Sequence, residues 1–270
     1  NKIINIPFIK VAKLKKNLIN KIERKIGYPF IVKNVDNSAS RGIEIIKKKI
    51  STQQLDTYIT KAIEASRCGY CIIEKYFYGK EYTVETLFDI NGKFYPCFIT
   101  DRYFNHESGK AIELGLRNPS KLKLSLQKKI FSFAERIAKK VGVKVGPAKF
   151  DLMISNNRLI VIEMTTRLSG GFDCQYLVPA ATGKDVIKAA MLTSLGEEFD
   201  PKLLKNKFNR VALSRSVWPK PGKIKKIIYK KNRLKKNEYL KVFFTKKINY
   251  IISNYENCAD RPCFIIAASQ

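Results

Sequence analysis

The sequence predicts an α+β fold, and three observations carry that reading. Strand-like and helix-like segments succeed one another without the regular βα alternation of a doubly wound parallel sheet. An Asn-Gly pair, Asn91-Gly92, stands between two alternating apolar runs, a strong β-hairpin signal. A second hairpin is written into FDLMISNNRLIVIEM, where two apolar runs flank Asn156-Asn157.

Taken in order, residues 10–26 place Val11, Leu14, Leu18, Ile19, Ile22 and Ile26 at helical spacing and end on Gly27, which predicts a first helix. YPFIVKNV (28–35) predicts a strand, DNSASRG a polar loop, and IEII a short second strand. Residues 52–66 predict a helix. GYCIIEKYFYG, EYTVETLFDI and KFYPCFITDRYF predict three strands. Pro119 and Ser120 open a long amphipathic helix that runs to about Val141. After the 150–164 hairpin come a Gly-rich turn and a helix over 183–195. RVALSRSVWP and KIKKIIY then flank a Pro-Gly turn, and the Lys-rich remainder ends in the apolar run CFIIAA. No internal repeat or low-complexity linker interrupts the chain.

Composition narrows the class. With 270 residues, 45% of them hydrophobic, the chain can bury a sizeable core in one large domain or in two to three subdomains. No apolar run reaches the ~18 residues a membrane span needs. Together with the lack of a secretory pattern in the Lys-rich N-terminus, this predicts a cytoplasmic protein with no membrane partner. The chain opens on Asn1 rather than Met, so a longer polypeptide is expected. The net charge of +29 draws polyanions, yet only 12 of the 52 basic residues are Arg, and they are scattered. Base readout and phosphate forks favour Arg, so specific nucleic-acid binding is not expected. Cys68 and Cys71 alone have metal-knuckle spacing, and Cys71 reads as a buried strand residue. His106 has no Ser or Cys motif to partner it as a hydrolase would require, so it reads as a surface loop residue.

Three constellations carry chemistry. Lys33 stands inside an apolar strand and precedes NSASRG, whose backbone N–H groups and hydroxyls suit phosphate oxygens. The plain alternative is a strand-end lysine followed by an ordinary turn. In IIEKYFYGKEYTVE, residues Glu74 to Phe77 offer edge-strand donors and acceptors of the kind a purine needs, and Glu81 can accept from sugar hydroxyls. The third is the 150–164 hairpin, with Asp151 and Glu163 on otherwise apolar strands. Side chains alternate along strands, so register decides whether the two acids meet. A two-residue turn pairs Asp151 with Ile162 and sends Glu163 to the opposite face. A three-residue loop pairs Asp151 with Val161, puts both acids on one face, and leaves Phe150, Leu152, Ile154, Ile160 and Ile162 on the greasy face. Two carboxylates so placed repel unless a cation lies between them, and oxygen-only ligation suits Mg²⁺.

These stretches together resemble the ATP-grasp superfamily, in particular its carboxylate–amine ligase and carbamoyl-phosphate-synthetase-like members. The resemblance is carried by IGYPFIVKNVDNSASRGIEII, IIEKYFYGKEYTVETLF, the helix after NPSKL, KFDLMI…IVIEMTTRLSGG and ATGKDVIKAAM, with VWPKPGKIKKI similar to the family's C-terminal hairpin. It covers roughly residues 6–229 in the right order. The fold it implies has two lobes with mainly antiparallel sheets clasping ATP. The expected division is 1–72 as small lid lobe, 73–200 as large lobe with the metal hairpin, and 201–270 as C-terminal hairpin and extension.

Residue by residue, the resemblance implies that Lys33 contacts the α- and β-phosphates, with Ser38, Ala39 and Ser40 in the closing loop. Backbone groups around Lys75, Tyr76 and Phe77 would hold adenine with Glu74 nearby, and Glu81 would bind ribose. Asp151 and Glu163 would ligate Mg²⁺, with Mn²⁺ an alternative. Arg167 would steady the transferred phosphate, and Arg102 matches a basic position near the γ-phosphate. Thr165 stands where the family usually has a metal-binding Asn, which leaves one or two metals open. Asn34 stands where Pro is common. The family's usual upstream domain has no counterpart here, so an upstream domain or partner subunit is expected, and a homodimer is also open. The activity implied is an ATP- and Mg²⁺-dependent ligase that joins a small-molecule carboxylate to an amine through an acyl phosphate. The alternatives are an incomplete or inactive ATP-binding subunit and a basic nucleic-acid-binding protein.

Overall fold

The computed structural model describes residues 6–105, 110–228 and 239–269. Strands β1 (Phe8–Val11), β2 (Phe30–Asn34), β3 (Glu44–Ile46) and β4 (Cys71–Lys75) form an antiparallel sheet in the order β1-β4-β2-β3. Alternation gives this sheet two characters. Phe30 and Val32 of β2 and Cys71 and Ile73 of β4 are buried against α1 (Leu18–Lys25) and α2 (Thr52–Glu64), where Ile22, Leu55 and Ile59 complete the core. The intervening Ile31, Lys33, Ile72 and Glu74 point to the other side and line a cavity. A capping box starts α2: the Gln54 N–H donates to Ser51 Oγ and the Ser51 N–H to Gln54 Oε1.

The second sheet has eight strands. They are β5 (Lys80–Phe88), β6 (Phe94–Asn105), β7 (Ile112–Asn118), β8 (Gly146–Ser155), β9 (Arg158–Thr165), β10 (Val211–Val217), β12 (Tyr239–Phe244) and β14 (Cys263–Ser269). Their spatial order is β12-β14-β10-β7-β6-β5-β8-β9. A separate two-stranded ribbon pairs β11 (Gly222–Lys223) with β13 (Ile251–Ile252). On one face, Tyr82, Val84, Phe150 and Leu152 pack under α3 (Leu124–Lys140) through Ile130, Phe133 and Ile137. The opposite face is shared. Leu87, Cys97 and Phe98 lie in the cluster that includes Val186 and Ala189 of α5 (Val186–Ser194), while Glu81 and Thr83 line the cavity. The short helix α4 (Val178–Thr182) follows the Gly-rich turn.

Several expectations shift. Val11 belongs to β1, so the first helix covers only Leu18–Lys25; Val11 and Leu14 share its core from a strand and a connection, which mimics helical periodicity. Because β4 runs to Lys75, the expected 72/73 boundary cuts through a strand of the first sheet. Residues 201–270 are not a separate extension, since β10, β12 and β14 complete the large sheet. The Pro-Gly turn after β10 makes no hairpin there, because β11 pairs with β13. Strand β7 was not expected. Gly115 at its centre hides the strand pattern, and the reason is packing: a Cβ there would collide with the Ser214 carbonyl of β10. His106 lies outside the described residues. Among them, no helix is long and apolar enough to cross a membrane.

Candidate active site

The β8–β9 hairpin turns through Asn156 and Asn157 alone, both at positive φ (46° and 59°), with Ser155 opposite Arg158. The ladder continues through Leu152 opposite Val161. An unbulged two-residue hairpin would then put Ile162 opposite Asp151. Instead the strand bulges at Ile162, and Asp151 pairs directly with Glu163. The tight turn is therefore present, and the bulge still brings both acids to one face. It also re-sorts the apolar residues. Leu159, Val161 and Met164 join Phe150 and Leu152 under α3, whereas Ile160 and Ile162 line the cavity rather than the greasy face expected of them.

A cation does lie between the acids, and it is Lys149. Its Nζ is 2.5 Å from Asp151 Oδ2 and 3.2 Å from Glu163 Oε1. Two residues from Asp151 on the same strand, it faces the same way; lysine in a run read as the approach to the hairpin gave no sign of this. Asp151 also takes the Arg102 Nη1 at 2.8 Å and the Thr83 hydroxyl at 3.3 Å. Burial alone would raise the Asp151 carboxyl, but Arg102 and Lys149 hold it below its ordinary value. Arg102 further donates to Glu113 Oε2, at 3.2 Å from Nε and 3.0 Å from Nη2, and lies 3.8 Å from Glu81. Burial opposes the Arg102 charge, yet Asp151, Glu113 and Glu81 push its pKa well above the ordinary arginine value. Glu81 is pushed up to about 7, first by burial and then by Asp151, Glu113 and Glu163, against the opposing pull of Arg102.

Lys33 crosses from the first sheet to this hairpin. Its Nζ pairs with Glu74 at 2.7 Å and donates to the Ile162 carbonyl, at the bulge, at 3.3 Å. The following loop is pinned at both ends. Asp36 accepts from the Ser66 hydroxyl and the Arg67 and Cys68 amides, and Asn34 Nδ2 donates to the Arg41 carbonyl. Between them Ala39 and Ser40 are left-handed, and the Cys258 N–H donates to the Ala39 carbonyl at 2.9 Å. The amides of Lys75 and Tyr76 donate to the carbonyls of Pro7 and Pro29, so neither is the donor offered to a base. Lys75 Nζ is held by the Tyr28 carbonyl.

All the expected site residues line a single cavity of about 920 Å³ between the two sheets: Lys33, Ser38, Ser40, Glu74, Lys75, Tyr76, Phe77, Glu81, Arg102, Asp151, Glu163, Thr165 and Arg167. Arg167 is at its exposed rim, its Nη1 donating to the Leu168 carbonyl. Sequence reasoning missed Lys149, Thr83, Glu113, Asp173 and Arg261. The last, from just before β14, is 3.5 Å from Glu113.

Among the described residues no group of three or more His, Cys, Asp or Glu forms a ready metal cluster. The donor set nevertheless fits a hard cation. Asp151 and Glu163 share a face, and Thr165 Oγ1, two residues on, is buried without a hydrogen-bond partner.

The ATP-grasp domain family model matches residues 26–175, more than half of the chain. The chain belongs to the ATP-grasp family. It is 27% identical over 165 residues to the D-alanine–D-alanine ligase of Coprothermobacter proteolyticus, covering 58% of this chain and 51% of that protein. Thus the chain spans about half the length of this curated relative. The L-amino acid ligase of Bacillus licheniformis superposes with a TM-score of 0.72 at 18% identity, over 99% of this chain and 63% of the other. The biotin carboxylase domain of Hydrogenobacter thermophilus 2-oxoglutarate carboxylase, a structure with MgADP, ADP and bicarbonate, gives 0.70 at 19% identity, over 98% and 58%. At these identities the two structures share the ATP-grasp fold with this chain.

Proposed function

We propose that this ATP-grasp chain is the nucleotide-binding part of an ATP- and Mg²⁺-dependent ligase that activates a small-molecule carboxylate as an acyl phosphate for attack by an amine. The observation that carries this reading is the bulged hairpin. It places Asp151, Glu163 and the partnerless Thr165 hydroxyl at one wall of a cavity that Lys33 enters from the other sheet.

In this reading Lys33 meets the α- and β-phosphates, and Ser38 and Ser40 close over them. Adenine lies against the Phe77 end of the 74–77 segment, beside Glu74, and Glu81 receives the ribose hydroxyls. Asp151 and Glu163, with Thr165, hold the metal once Lys149 yields their oxygens. When bound, Mg²⁺ supplies charge neutralisation and Lewis-acid polarisation at the phosphate oxygens. Arg102 and Arg167 offset negative charge as the substrate carboxylate approaches the γ-phosphate, and enclosure between the sheets protects the acyl phosphate from water. An amine then displaces phosphate to form the amide. The substrates, and any partner subunit or second copy that completes the protein, belong to this proposal.

A second reading is favoured by Lys149. Because its ammonium already occupies both carboxylates, the chain could bind nucleotide without turning over. Two measurements separate the readings: stabilisation by Mg-ATP, lost in Asp151→Asn, and phosphate release in a screen of carboxylates with amines. Stabilisation without release from the full protein supports the non-catalytic reading. No stabilisation at all sinks both.

A further inference from the structure

The turn that follows β9 brings a buried acid into the cavity that the nucleotide reading leaves unused. Ser169, Gly170, Gly171 and Asp173 all line the cavity. Asp173 is 1% exposed, and its Oδ1 has no hydrogen-bond partner. Among the described residues it forms no salt bridge. The two cations that act on it are committed elsewhere, Arg102 to Asp151 and Glu113, and Lys149 to Asp151 and Glu163. A buried carboxylate oxygen without a donor is costly, and such an atom in a native fold calls for a partner. The adjoining turn has room, since a Cβ built on Gly170 meets nothing within 4 Å.

The charges around Asp173 specify what that partner is. Glu113 and Glu85 are the acids nearest in effect, and they repel any anion brought to this corner. Burial, then these two acids, push the Asp173 carboxyl well above its ordinary value. A metal ion is a poor candidate, because the neighbouring acids are committed elsewhere, Glu113 to Arg102 and Arg261 and Glu85 to the Ser169 N–H. An ammonium carries three donors and one charge, which matches a carboxylate oxygen lacking a donor.

We propose that Asp173 receives the ammonium group of the acceptor substrate, which enters as a cationic primary amine and passes one proton to the Asp173 carboxylate before its nitrogen attacks the acyl phosphate and phosphate leaves. The proposal rests on the ligase reading and identifies its acceptor end. Asp173 is thereby a binding residue of the same cavity, joined to the hairpin by the Gly170-Gly171 turn.

The test is a thermal-shift and titration screen on the full chain, with and without Mg-AMP-PNP. The probes are amides of the common L-amino acids, which carry an ammonium and no carboxylate, and the N-acetyl amino acids, which carry the reverse. At least one amide is expected to bind, its N-acetyl counterpart not to, and Asp173→Asn to weaken the amide by about 10- to 100-fold, the range of a charged hydrogen bond. Equal binding of the N-acetyl series, no binding by any amide, or unchanged affinity in the variant overturns the proposal. Should the variant not fold, the amide and N-acetyl pairs on the natural chain decide alone. The Mg-AMP-PNP shift reports separately on the nucleotide reading, because the amides are also measured without nucleotide.

Discussion

Asp151 faces Glu163 directly across the β8–β9 ladder, although the chain reverses between them in only two residues. The extra residue at the bulge makes this arrangement, and the pair depends on a cation. Asp151→Asn should abolish stabilisation by Mg-ATP and lower turnover by about 100-fold or more, the scale of losing a principal charge stabiliser. It should also cost about 3 kcal/mol without ligand, since Lys149 and Arg102 lose a buried partner. Thermal shift in Mg-ATP against ATP with a chelator checks the first point. A metal-dependent shift that survives in the variant sinks the assignment.

Lys149 supplies that cation within the protein itself. In Lys149→Gln the two carboxylates would repel across the ladder, so the variant should lose about 1–3 kcal/mol in chelator. Part of the loss should return as Mg²⁺ is added, because a ligand that binds only the folded state stabilises it by mass action. The natural chain should respond less, its site being already occupied by the ammonium. Urea melts across a Mg²⁺ series decide this, and a variant indifferent to Mg²⁺ contradicts it.

How far the sequence revealed this site depended on how local its signals were. Strands β2, β4, β5, β6, β8 and β9 and helices α2 and α3 showed in alternation, periodicity and turn residues, and Asp151 and Glu163 stood out as acids in apolar runs. The bulge at Ile162 did not show, since no residue type there marks an irregular register. Lys149 was hidden because its meaning depends on reaching both Asp151 on its own strand and Glu163 on the next. Strand β7 was masked by Gly115, which serves a close approach to a strand roughly a hundred positions later. The C-terminal partners Cys258 and Arg261 were invisible for the same reason: they reach the 36–42 loop and Glu113 only through the tertiary fold.

Gly42 closes the 36–42 loop at φ +62°, and a Cβ there would lie 2.8 Å from Ala65 Cβ. Gly42→Ala therefore combines left-handed strain with a contact that the end of α2 must relieve. The expected cost is about 2 kcal/mol, with weaker nucleotide binding because Ala39 and Ser40 are displaced. Chemical denaturation and a fluorescent-nucleotide titration measure the two effects. A variant as stable as the natural chain would show that the loop is not held as described.

Glu85 offers the clearest pH signature, because it lies outside the Asp151–Glu163 pair. It is fully buried, accepts the Ser169 N–H at 2.7 Å through Oε2, and leaves Oε1 without a partner. Burial pushes its carboxyl up to about 7, against the pull of the Ser169 hydrogen bonds and of Lys149. The group is an acid whose folded value is raised, so the folded state binds the extra proton. Below about 4.5 both folded and unfolded chains are protonated and stability is untouched. Between about 4.5 and 7 the unfolded chain releases the proton first, so stability falls as pH rises; above 7 the loss is complete. Glu85→Gln keeps an acceptor for Ser169 and cannot ionise, so it should gain on the natural chain across this window. The gain is bounded by about 3 kcal/mol at ~1.4 kcal/mol per pH unit. Glu81, also raised to about 7, is common to both proteins and largely cancels in the difference. Urea denaturation from pH 4.5 to 8.5 measures it. A difference between the two proteins that stays constant over that range would show that Glu85 ionises in the folded state as it does in water.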